Sequence, residues 1–207
     1  IDRSLVGSEM CIRDRVDTAV ISKEILLSLT NFDNLERWYL SQVENAVASP
    51  SRAYFLKPVL GAGGQKMEHI RSHSDLTTID FQSDEYLLQP DVTNGKKDFL
   101  DRISVNFCVH KHSKPEVVNA SVQLYSDVQC THYVGSYFDA DLSRALIEEI
   151  GQEKLETHAE MLRQLGVLGP FGMDFIKNKY TGHYNDIIDC NLRLTASAPV
   201  CLLANCL

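Results

Sequence analysis

No two cysteines of the 207-residue chain stand at C-x-x-C spacing. The six that are present, Cys11, Cys108, Cys130, Cys190, Cys201 and Cys206, fall at irregular intervals. This excludes a ribbon-type zinc site and a small disulfide scaffold. It fits thiols buried as small hydrophobes in a reducing, cytoplasmic compartment. No run approaches the roughly 18 apolar residues of a membrane-spanning helix. No long apolar core follows the charged Asp2, Arg3, Glu9, Arg13, Asp14 and Arg15, so a secretory signal is unsupported. Surplus positive charge is missing too. The formal net charge of -8 disfavours a general nucleic-acid surface and an attraction to anionic lipid. Nucleotide binding stays open, because a few local cations with a metal can hold phosphates. His69, His73, His110, His112, His132, His158 and His183 form no metal-ligand spacing.

What is present describes a folded protein. Apolar residues make up 44% and charged residues 23%, ordinary values for a globular chain. The first residue is not Met, and Leu207 closes a largely apolar run, Pro199–Leu207, that reads as the start of another element. Both ends suggest a fragment. Leu5–Arg15, LVGSEMCIRDR, resembles translated sequencing-adapter read-through, so residues 1–16 are expected to be a non-native or disordered leader.

Apolar spacing predicts helix over Asp17–Ala48, interrupted near Asn31–Asn34, with Asn34 as a cap for the second part. Tyr54–Val59 reads as a strand, His69–His73 as its return, and Asp75–Asp84 as loop or short helix. Glu85–Gln89 is another strand, stopped by Pro90, and Asn94-Gly95 marks a turn. Ile103, Val105, Phe107 and Val109 alternate with Ser104, Asn106 and Cys108. Val117–Leu124 and Val128–Val134 add two strands, which together favour an antiparallel meander. Asp141–Leu165 is the clearest helix, with Asp141 as N-cap and Gly166 at its end. Phe171–Ile176 and Tyr184–Cys190 are two strands joined by the polar turn Lys177–His183. The class is α+β.

The last strand pair carries chemistry. Asp174 lies on its first strand, and Asp189 and Asn191 close the second with side chains on one face. A hairpin would bring the three together. Two carboxylates and an amide oxygen make a hard oxygen set suited to Mg2+ or Mn2+. Asp186 is a nearby alternative of different parity. Arg193 shares the parity of Asp189 and could meet a phosphate. Upstream, Lys57 ends an apolar strand, and Gly61, Gly63 and Gly64 follow it, so backbone N–H groups could approach phosphate closely. The lysine-hydroxyl ending of a Walker A motif is missing. Gln89, Pro90, Asp91 and Val92 form a polar junction where backbone groups could read an adenine edge and Asp91 a ribose.

Taken together, YFLKPVLGAGG, EYLLQP and GPFGMDFIKNKYTGHYNDIIDCNLRLT resemble the ATP-grasp superfamily, in particular its carboxylate–amine and carboxylate–thiol ligases. The likeness spans Tyr54–Leu207. It implies two α+β lobes clasping a nucleotide, with the α/β domain that usually precedes them absent. Residues 17–92 would be a partial N-terminal lobe and 93–207 a C-terminal lobe truncated at its end. By the resemblance, Lys57 contacts ATP phosphate, and Gly61, Gly63 and Gly64 cover the phosphates. Gln89–Val92 surround adenine and ribose. Asp174, Asp189 and Asn191 hold Mg2+ or Mn2+, and Arg193 orients the γ-phosphate or acyl phosphate. The implied reaction joins a small carboxylate to an amine through an acyl phosphate. A non-catalytic nucleotide-binding or regulatory protein and an ATP-grasp kinase are the alternatives. The partners would be small-molecule carboxylate and amine substrates, with no nucleic acid and no membrane, and homo-oligomers are compatible. The family's usual glutamate before the asparagine is the shorter Asp189. Leu192 stands in place of a proline, Ala196 in place of a glycine, and Arg102 close to the place of an acid.

Overall fold

The computed structural model describes residues 18–43, 52–59, 67–93, 98–126, 133–184, 186–195 and 197–198. The leader, the three glycines at 61, 63 and 64, the Asn94-Gly95 turn and most of Val128–Val134 lie outside the described residues. The chain divides into two compact units, Ile1–Lys96 and Lys97–Leu207. Among the described residues, no helix is long and apolar enough to cross a membrane.

Unit 1 runs β1 (Ala19–Ser22), α1 (Lys23–Ser28), α2 (Phe32–Gln42), β2 (Tyr54–Pro58), β3 (Glu68–Ile70), α3 (His73–Thr78) and β4 (Glu85–Pro90). Its strands lie in the order β1-β4-β2-β3, antiparallel throughout. Side chains alternate across the sheet. Ile21, Tyr54, Leu56, Ile70, Tyr86 and Leu88 share one face and pack with Leu26, Phe32, Leu35, Tyr39 and Leu76 of the helices. The other face carries Val20, Phe55, Lys57, His69, Leu87 and Gln89, as the registers require.

Three expectations for unit 1 change. The first part of the expected helix is β1, because Ala19–Ser22 takes its backbone partners from β4, and Val20 and Ile21 suit a strand. Asn31, not Asn34, caps α2: the Asn34 N–H donates to Asn31 Oδ1 at 2.8 Å. The return strand stops at Ile70 because α3 starts early. Asp75 accepts the N–H groups of Arg71 and Ser72 at 2.7 and 2.8 Å, closing a capping box with Ser72.

Unit 2 runs β5 (Arg102–Val109), β6 (Glu116–Tyr125), β7 (Tyr133–Tyr137), α4 (Ala140–Ile150), α5 (Gln152–Gln164), β8 (Gly169–Ile176) and β9 (Asp186–Asn191). Its sheet order is β7-β6-β5-β8-β9, again antiparallel, so β5, β6 and β7 form the expected meander. The single long helix is in fact two. Gly151, at φ +98°, breaks it, and Asp139 rather than Asp141 caps α4, accepting from the Leu142 N–H at 2.8 Å. Gly166 ends α5 as expected, at φ +87°. The Val167 N–H reaches back to the Leu162 carbonyl and the Gly166 N–H to that of Arg163, both at 3.0 Å. The two helices bury Leu146, Leu155, Ala159 and Leu162 against the sheet.

The alternation in β5 organises unit 2. Ile103, Val105 and Phe107 share a face with Val122 and Ala120 of β6 and with Phe171, Met173 and Phe175 of β8. Phe107 and Phe171 stack with ring centroids 4.9 Å apart. These side chains are essentially fully buried, each of the larger ones worth about 1.5–3 kcal/mol. The opposite face is polar and carries the candidate site.

Candidate functional site

Strand register sets the site. Asp174 lies opposite Ser104 of β5 and Asp189 of β9, and Gly172 lies opposite Asn106 and Asn191. Directly opposed residues share a face, so Asp174, Asp189 and Asn191 come together on the polar side of the sheet. A bulge between Asp174 and Phe175 shifts the β8–β9 register just beside them. Bulges of this kind re-aim side chains next to sites.

Asp174 is buried at 8% exposure. Its Oδ2 accepts the Asn191 side-chain N–H at 3.1 Å, while its Oδ1 is buried without a hydrogen-bond partner. Burial pushes the Asp174 carboxyl up to about 6, and the neighbouring Asp189 charge adds to the rise. The polar groups of Ser104, Gln123 and Asn191 offset part of this. Arg193 donates to Asn191 Oδ1 at 3.3 Å and is exposed. Its backbone N–H closes a tight turn onto the Asn191 carbonyl at 2.7 Å. A chain of contacts thus runs from Arg193 through Asn191 to Asp174.

This donor set fits a hard divalent cation. Two carboxylates share the face and one of them is buried; Asn191 turns its N–H to Asp174 and its oxygen to Arg193, so its amide would have to turn over to add a third oxygen. A cation between the acids would offset both the burial of Asp174 and its repulsion with Asp189. Among the described residues, no three His, Cys, Asp or Glu side chains gather around one point. Mg2+ tolerates that, since it takes few protein ligands and completes its shell with water and phosphate oxygens.

In unit 1, Lys57 is half-buried on the face of its sheet that also carries Phe55 and His69, whose rings stack at 4.5 Å. Gln89 donates its amide to Thr18 Oγ1 at 2.9 Å. Pro90 closes β4 opposite Tyr54. Asp91 is 1% exposed, and its carboxylate is occupied. Oδ1 accepts the Thr93 N–H at 2.8 Å and the Thr93 hydroxyl at 2.6 Å. Oδ2 lies 3.0 Å from His69 Nε2. These contacts hold the end of β4 to β3. The His69 and Thr93 bonds keep the Asp91 carboxyl below its ordinary range against the effect of burial.

Sequence reasoning missed the rest of the polar face in unit 2: Ser104, Asn106, Asn119 and Ser121, each at 4% exposure or less. The available signal was the kind of polar residue. The alternating positions of β5 and β6 hold Ser, Asn and Gln instead of the Lys and Glu typical of a solvated face.

A family profile described as an ATP-grasp domain matches residues 40–197. The chain belongs to the ATP-grasp family. No curated protein matches its sequence. Among solved structures it is similar to the biotin carboxylase domain of Hydrogenobacter thermophilus 2-oxoglutarate carboxylase, in complex with MgADP, ADP and bicarbonate. There the TM-score is 0.61 at 14% identity, over 98% of this chain and 42% of that one. It is also similar to Staphylococcus aureus N5-carboxyaminoimidazole synthetase complexed with ADP, with a TM-score of 0.56 at 9% identity, over 93% and 45%. The D-alanine-D-alanine ligase of Coxiella burnetii gives 0.51 at 12% identity, over 95% and 50%. The chain therefore spans half the length of these proteins or less, and at such identities the likeness is one of fold.

Proposed function

We propose that this chain is the nucleotide-binding part of an ATP- and Mg2+-dependent ligase that joins a small carboxylate to an amine through an acyl phosphate. One observation carries the reading: Asp174 and Asp189 are cross-strand partners, and Asp174 is buried beside that second carboxylate with its carboxyl pushed up to about 6. Asp174, Asp189 and Asn191 would hold the cation, Mg2+ or Mn2+. When bound, the cation neutralises charge on the transferring phosphoryl group. Arg193 meets the γ-phosphate and then the acyl phosphate, and its contact with Asn191 keeps the guanidinium beside the metal ligands. In unit 1, Lys57 contacts ATP phosphate; Gly61, Gly63 and Gly64, which lie outside the described residues, are the phosphate-covering positions that the family resemblance implies. Gln89, Pro90 and Val92 border the adenine and ribose. Asp91 acts there by holding its turn in place, since its own carboxylate is occupied by Thr93 and His69.

The balanced reaction is simple. A substrate carboxylate oxygen attacks the γ-phosphorus, and the bond to ADP breaks. The amine then displaces phosphate from the acyl carbon and loses a proton. The test is ADP release from Mg-ATP with carboxylate and amine supplied singly and together. Release that needs both supports ligation. In the complete parent protein, release with a phosphorylated acceptor and no amine requirement marks a kinase, and binding without release marks a non-catalytic nucleotide-binding protein.

A further inference from the structure

Asn106 stands on the polar face of unit 2 as the direct cross-strand partner of Gly172, and its side-chain hydrogen bonds go to Asn119, Thr195 and Ser197. It is 3% exposed. Its amide N–H donates to Asn119 Oδ1 at 2.7 Å and to Ser197 Oγ at 3.2 Å, and its Oδ1 accepts the Thr195 hydroxyl. Thr195 and Ser197 are themselves 3.1 Å apart and buried. Both polar atoms of the Asn106 side chain thus reach one short segment 89 to 91 residues away, while the amide nitrogen also holds Asn119 of β6. The seat is shaped as well as bonded. A Cβ on Gly172 would come within 2.3 Å of the Thr195 methyl carbon. Only a glycine leaves room for that methyl above β8.

The consequence concerns Arg193. Its backbone lies between two fixed points. Upstream, Asn191 pairs with Gly172 and closes the tight turn to the Arg193 N–H. Downstream, Thr195 is locked into the seat. We infer that Asn106, with Gly172 and Thr195, is a positioning device that fixes the Arg193 guanidinium for its phosphate. It sets the preference of the site for a triphosphate over a diphosphate. The inference rests on the reading of Arg193 as the γ-phosphate residue.

The test uses three variants of the whole chain. Thr195→Val keeps the shape and removes the hydroxyl. Thr195→Ser keeps the hydroxyl and removes the methyl. Asn106→Leu removes the whole anchor. Amide hydrogen exchange is read over residues 191–198, with β8 as internal control. Loss of the Thr195 hydroxyl bond should speed exchange there about five- to tenfold in Thr195→Val and Asn106→Leu, with β8 and Thr195→Ser near wild type. The second readout is the ratio of Mg-ATP to Mg-ADP affinity. It should fall about tenfold in Thr195→Val and stay at the wild-type value in Thr195→Ser. Unchanged exchange in Thr195→Val overturns the seat. Faster exchange with both nucleotides weakened equally overturns the positioning role. If the wild-type chain itself binds ATP no better than ADP, the Arg193 assignment fails, and the positioning role fails with it. The exchange result then still reports whether the seat exists.

Discussion

At the scale of single residues, Asp174 carries opposing demands. A folded chain gains nothing from a buried carboxyl pushed up to about 6 beside another acid. Relative to its ordinary 3.8, that shift costs the folded state about 3 kcal/mol once the group is ionised. Because the folded value is raised, the cost is absent below about pH 4, grows between there and pH 6, and is complete above. Asp174→Asn removes the charge and keeps the shape. In metal-free buffer at pH 8 its Tm should exceed that of the wild type, and the difference should vanish near pH 4. Added Mg2+ should raise the Tm of the wild type and leave the variant unmoved. A variant less stable than the wild type at pH 8 would contradict this account of Asp174. The carboxylate itself was legible in the sequence, as was its alignment with Asp189 and Asn191, because strand parity is a property of spacing. Its burial was not, because burial and the polar partners Ser104 and Gln123 come from strands far away in the chain. The same applies to Asp91. The sequence offered its carboxylate to a ribose, but His69, 22 residues earlier and two strands over in the sheet, and Thr93 occupy it.

At the scale of elements, the readings that held were those fixed by local chemistry. The alternation of β5 and the Gly166 terminus of α5 each follow from residues close in sequence. Two of the misreadings are helical periods overridden by another signal. Ile21 and Ile25 fit a helix, yet β1 forms because β4 offers a complete ladder of partners. Leu146, Ile150 and Leu155 suggested one helix, but Gly151 breaks it at φ +98°. A Cβ there would meet nothing closer than 3.9 Å. The cost of Gly151→Ala is therefore backbone strain alone, about 1–2 kcal/mol. Thermal unfolding should show that loss, and any nucleotide affinity should be unchanged. A gain in Tm would mean that α4 and α5 can merge into one continuous helix.

At the scale of the whole molecule, each of two α+β units has one apolar sheet face, with a mixed second face in unit 1 and a polar one in unit 2. In unit 1 the apolar face packs on α1, α2 and α3, and the other presents Lys57, Gln89 and the Phe55–His69 pair. In unit 2 the polar face gathers Asp174, Asp189 and Asn191, with Arg193 just beyond. The α+β class and the ATP-grasp family were legible from three short motifs, whereas the buried Ser and Asn rows were not, since a lone alternating strand does not reveal what covers it. The departure at Asp189, one methylene shorter than the family's glutamate, makes that residue the point where the account is most exposed. The most direct measurement is a calorimetric titration of a non-hydrolysable ATP analogue into the wild type and Asp189→Asn, with and without Mg2+. Binding by the wild type should depend on Mg2+ and weaken at least about tenfold in Asp189→Asn. Binding that ignores Mg2+, or an Asp189→Asn variant that matches the wild type, would contradict this account.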